Sequence, residues 1–160
     1  MPIPAATPAR IPPFYHLIFL YLEPLSIFAG AYYAHFHTPS YLHLTHAASA
    51  PGASVPTSTQ VVMTQLANLY LGLGILEATV LRATSDVKVW RAFIIGLLIA
   101  DFGHLYSVAP VGGWVYWQYW RWNIIDWGNV AVVYFLAAVR CCLLGGVGFG
   151  REDVMRSKRT

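Results

Sequence analysis

The chain alternates between long apolar stretches and short polar breaks. Four runs, at about 13–36, 59–81, 87–108 and 123–149, carry almost no charge. Each reaches the roughly 20 residues needed to cross about 30 Å of hydrocarbon. A soluble bundle would show charged outer faces at helical spacing, and none of these runs does. The pattern predicts an all-α integral membrane four-helix bundle, a single domain over residues 1–160, with both termini cytosolic.

Details within the runs sharpen the picture. In the first, Glu23-Pro24 predicts a kink close to mid-span, because proline cannot bond the carbonyl four residues back and disfavours helix at the residue before it. Ser26, Gly30 and Ala34 then form a small-residue stripe suited to close helix packing. In the second run, Gln65 and Asn68 share a face. Glu77 near its end is expected to pair with Arg82 or Arg91. The turn Ala83-Thr84-Ser85-Asp86 makes a hairpin of runs two and three, with Ser85 or Asp86 as the cap. Trp90 and Arg91 read as interfacial anchors. Asn123, Asp126 and Asn129 share a face of the fourth run, and the glycines of 145–150 mark its end.

The breaks carry their own signals. Residues 1–13, rich in proline, predict an extended cytosolic tail, with no basic region of a cleaved signal peptide. The segment 37–58 reads as a solvated loop. His35, His37, His43 and His46 cluster there without the cysteines or acids that would argue for a metal. Four tryptophans fall within 114–122, as an interfacial aromatic belt that also lids a pocket beneath it.

Composition agrees with the pattern: 57% hydrophobic, 11% charged and a mean hydropathy of +0.52 exceed what a soluble domain carries. The charge distribution sets the orientation. Arg10, Arg82, Lys88, Arg91, Arg140, Arg151, Arg156, Lys158 and Arg159 fall on one side of a four-span topology, with Arg121 alone on the other. Cytoplasmic segments are enriched in Lys and Arg, so topology explains these basic residues and nucleic-acid binding is not implied. The basic tail 156–160 points to the endoplasmic reticulum. Cys141 and Cys142, adjacent on a helix, point apart and read as free thiols.

Candidate chemistry lies in the acids. Four of the seven, Glu23, Glu77, Asp101 and Asp126, fall inside the runs. A carboxylate at a helix centre costs about 2.5–3.5 kcal/mol on insertion scales, so it must face inward and find partners. Depth along the helices puts Asp101, His104, Asp126, Gln65 and Asn68 in the same non-cytosolic half, with Glu23 slightly deeper and Glu77 apart. A shared pocket follows. A carboxyl in apolar surroundings favours its neutral form, so Asp101, oriented by His104, is the leading proton donor. Glu23 is the alternative acid, and Asp126 holds the opposing side. Gln65, Asn68, Asn123 and Asn129 would bind substrate, and Tyr106, Trp122, Trp127 and Tyr134 would stabilise a developing cation through their ring faces. No cofactor or metal is implied: there is no metal-ligand spacing and no nucleophile motif. Function exceeds glue here, since four acids, a histidine and the three amides Gln65, Asn68 and Asn129 are more than four helices need to hold together.

These same segments carry a resemblance. Leu22-Glu23-Pro24, Gln65-Leu66-Ala67-Asn68, Leu81-Arg82-Ala83-Thr84, Val89-Trp90-Arg91, Ala100-Asp101-Phe102-Gly103-His104-Leu105-Tyr106, Trp122-Asn123 and Asp126-Trp127-Gly128-Asn129 resemble a family of small four-span fungal membrane proteins catalogued mainly as a domain of unknown function. The resemblance covers nearly all of 14–148 and implies no settled activity. In design the chain is similar to fungal meroterpenoid cyclases, which protonate a polyprenyl olefin or epoxide with intramembrane acids, and to sterol isomerases of the endoplasmic reticulum. It has fewer spans than either. The function expected is a membrane acid–base enzyme, a cyclase or isomerase of a polyprenyl or terpenoid substrate in fungal secondary metabolism. Its expected partners are that hydrophobic small molecule, the bilayer and other membrane enzymes of the pathway. A non-catalytic membrane adaptor and a small proton-linked carrier are the alternatives.

Overall fold

The structure is a computed structural model that describes residues 11–150 except Ala53. The expectations for the proline-rich tail before residue 11 and for the basic tail 156–160 lie outside the described residues. All regular structure among the described residues is helical. Four helices are long and apolar enough to cross a membrane: α1 (Pro13–Phe36), α3 (Thr57–Ala83), α4 (Val87–Ser107) and α5 (Ile124–Leu144). A short helix α2 (Thr38–Thr45) follows α1, and helical turns join α4 to α5.

The segment 37–58 is therefore more ordered than a solvated loop. Thr38 is buried and donates its hydroxyl to the Ala34 carbonyl at 2.8 Å, and the α2 residue Tyr41 packs on Ala34, Met63 and Ala67. The α3–α4 turn is capped by Asp86, whose carboxylate accepts from the Lys88 N–H at 2.8 Å. At its other end α5 stops at Leu144 rather than 149. The N–H of Val147 returns to the Cys142 carbonyl at 2.9 Å and that of Gly146 to Leu143 at 3.0 Å. With Gly146 at φ 78°, this is a Schellman stop, a backbone state that only glycine adopts without strain.

Proline does not break α1. The turn Ile18–Leu22 before it widens to π geometry, and the helix runs on. The Leu20 carbonyl, which Pro24 has no N–H to serve, accepts from the Arg82 guanidinium of α3 at 2.9 Å. That bond, and Arg82 over the Tyr21 ring at 4.9 Å, tie α1 to α3. They pack tightly at Gly74, where a Cβ would lie 2.8 Å from the Phe28 ring.

Helices α1 and α3 pack as one pair and α4 and α5 as another, while α3 and α4 touch each other little despite their short connection. The pairs join at one end through a core of Tyr15, Phe19, Trp90, Ile94 and Leu143. Trp90 is fully buried there, its indole N–H donating to the Thr84 carbonyl at 2.9 Å, so it is a core residue and not an interfacial anchor. Arg91 donates to the Leu144 carbonyl at 2.7 Å, satisfying an open carbonyl at the negative end of α5. The Tyr15 hydroxyl reaches the Val147 carbonyl at 2.8 Å. The start of α1 and the end of α5 thus share one end of the bundle. Cys141 and Cys142 are free and exposed.

Candidate functional site

Between the two helix pairs lies a cavity of about 440 Å³. Its walls are mostly aliphatic, from Ile27, Leu73, Leu97, Val132 and Leu136, with Tyr33, Tyr41 and Tyr70 set among them. Glu23, Ser26, Asp101, His104, Asn129 and Arg140 are the other polar residues that line it.

Arg140 organises the charged end. Expected with the cytosolic basic residues, it is instead 1% exposed and inside the bundle. One terminal guanidinium nitrogen donates to Asp101 and the other terminal nitrogen to Glu23. Its Cζ lies 5.9 Å from the Phe19 ring centroid. Leu136, Val139, Arg140 and Leu143 share the buried face of α5, so the burial that packs the aliphatic residues also carries the cation inward. A buried charge is tolerated only when paired and hydrogen-bonded, and two acids from two helices meet that demand.

Glu77 belongs to this cluster, contrary to the expectation that it would stand apart beside Arg82 or Arg91. It is fully buried, within hydrogen-bonding reach of Glu23 and in the field of Arg140 and Asp101. Nothing in its own sequence neighbourhood signals this. The signal was the surplus of intramembrane acids, which Arg82 does not answer because its guanidinium serves Leu20.

Arg140 holds both candidate acids, Asp101 through Oδ2 and Glu23 through Oε1, and Glu23 keeps a second buried oxygen that has no hydrogen-bond partner among the described residues. His104, one turn along α4, lines the cavity and packs against the Asn129 backbone. Its Nε2 is buried and has no hydrogen-bond partner among the described residues.

Asp126 is buried yet does not line the cavity. It closes a capping box with Asn123: Asp126 Oδ2 accepts from the Asn123 N–H at 3.0 Å, and Asn123 Oδ1 accepts from the N–H groups of Ile125 at 2.8 Å and Asp126 at 3.2 Å. The Asn123 amide also donates to the Leu44 carbonyl at 2.8 Å, docking α2. Both side chains are engaged in capping the first turn of α5, whose open N–H groups they satisfy.

The remaining expected ligands scatter. Gln65 and Asn68 face outward. Tyr106 is 82% exposed. Trp122 bonds the Val115 carbonyl at 2.9 Å and stacks edge-on with Trp127, at 5.2 Å between centroids, away from the cavity. Tyr134 is exposed and bonds the Tyr116 carbonyl. Of the expected binding residues only Asn129 lines the cavity, and its aromatic character comes from Tyr33, Tyr41 and Tyr70. The histidines of 35–46 form no metal-holding group among the described residues.

No curated protein and no solved structure matches the chain. A family does match, over residues 8–151, nearly the whole sequence. The chain belongs to the domain of unknown function family DUF7704.

Proposed function

We propose that the protein is a membrane acid–base enzyme, an isomerase or cyclase of a polyprenyl or terpenoid substrate, acting in fungal secondary metabolism. One observation supports this reading most: an aliphatic and tyrosine-lined cavity of about 440 Å³ meets Glu23 and His104 inside an apolar bundle. Such walls take a greasy molecule, and a substrate that fills them displaces the water that would capture a cation. Glu23 is the proton donor, and the free Nε2 of His104 accepts a proton from the neighbouring carbon. One C–H bond forms and another breaks, so the product is an isomer. The enzyme resets when His104 returns its proton to the carboxyl. The tyrosine faces stabilise the cation between the two steps. Arg140 and Asp101 supply a fixed ion pair that orients Glu23.

Turnover in deuterated water tests it. Membranes containing the protein, given polyprenyl olefins, should yield a product isomeric with the substrate and carrying one carbon-bound deuterium, because the carboxyl proton exchanges with solvent between turnovers. Glu23→Gln and His104→Ala should each lower the rate at least about 100-fold, the usual worth of a positioned acid or base. Turnover that survives both changes would refute the assignment, and no isomer from any such probe would leave the polar cluster as helix glue.

The same proposal has both termini in the cytosol of endoplasmic-reticulum membranes. With Arg140 removed from the count, eight basic residues still lie beyond the shared end of α1 and α5 or at the α3–α4 turn, against Arg121 at the opposite end. Glycosylation acceptors placed in 46–56 should be modified and those placed after residue 150 should not. The reverse result would invert the orientation.

A further inference from the structure

We propose that Glu23 and Glu77 hold one proton between them, and that Glu77 is the store from which the cavity-facing Glu23 is supplied. Both Glu77 oxygens and Glu23 Oε2 are buried and meet no N–H or O–H donor among the described residues. Yet the two carboxyls lie within hydrogen-bonding reach of each other. Two carboxyl groups bond only when one carries a proton, since a carboxylate accepts and cannot donate.

Charge counting points the same way. The groups facing Glu77 are Glu23 from α1, Asp101 from α4 and Arg140 from α5. That is three carboxyls against one guanidinium, with each residue at most 8% exposed. Fully ionised, the cluster would carry two uncompensated negative charges, which such surroundings strongly disfavour, and one proton removes one of them. The two terminal nitrogens of Arg140 are committed to Asp101 and Glu23 and its Nε meets no carboxyl, so the proton sits at the Glu77 side of the pair, where no guanidinium N–H is bonded. Glu77 does not line the cavity and Glu23 does. A proton leaving the pair toward the cavity therefore leaves through Glu23. That last step rests on the acid–base reading, whereas the shared proton does not. In the step itself the O–H bond of Glu23 breaks as the substrate C–H bond forms, the carboxylate left behind faces the new cation, and nothing is oxidised or reduced. Glu77 is a positioning residue here.

Infrared spectroscopy of the full-length protein in lipid nanodiscs, at neutral pH and without substrate, reads the proton directly. The wild type should show the carbonyl stretch of a protonated carboxylic acid, shifting in deuterated water. Glu77→Gln should lose that band while unfolding at the wild-type temperature, because a glutamine amide donates to Glu23 as the carboxylic acid did. If Glu77→Gln does not fold, Glu77→Asp decides: a displaced band supports the shared proton, an unmoved one refutes it. A folded wild type without the band, or a band unchanged in Glu77→Gln, overturns the proposal. The band is read without turnover, so a protein that isomerises nothing can still show it, and the two readings fail separately.

Discussion

Arg140 is the only cation between residues 124 and 144, and it determines what the acids of the bundle can do. It holds Asp101 and Glu23 from two other helices. Removing one member of a buried charge network leaves the others unpaired, a loss of about 3–5 kcal/mol. Arg140→Met, which fills the same space, should therefore unfold at distinctly lower denaturant or temperature in micelles, while Arg82→Met, which gives up one bond to the Leu20 carbonyl, should cost about 1.5–3 kcal/mol. Equal unfolding of Arg140→Met and wild type would show that the network contributes nothing to stability. The residue itself was visible in the sequence; its burial was not. Four positions from the end of α5 it resembles any topology-setting arginine. Only its spacing from Leu136, Val139 and Leu143 betrays the shared face.

At the scale of elements, the four spans were legible because length and apolar continuity are what a bilayer demands of a helix. Which face turns inward was not, because both the interior and the lipid surroundings are apolar and hydrophobic periodicity fades. Gln65 and Asn68, three residues apart, share a face that turns outward. Asn123 and Asp126 have the same spacing and prove to be a capping box. The deciding fact is their place in the first turn, where N–H groups are open. The π turns at Ile18–Leu22 and Trp127–Ala131 left no mark in the sequence, since a widened turn is a product of packing around it. The first of them explains why Glu23-Pro24 continues the helix.

For the molecule as a whole, the intramembrane acids pointed to a polar centre, and Glu23, Asp101, His104 and Asn129 do meet at one cavity. Its walls depend on which helices pair. Because α3 packs on α1 and α4 on α5, a gap remains between the pairs, and no stretch of sequence encodes that gap by itself. The central claim is that this gap receives an apolar substrate. Photolabelling with a diazirine-bearing polyprenyl probe, mapped by peptide mass spectrometry, tests it most directly. The account predicts labels on cavity residues such as Tyr70, Ile125 and Val133, lost when Val132→Trp fills the space. Labels confined to the outward-facing Leu69, Ile99 and Phe102, and unchanged in Val132→Trp, would contradict it.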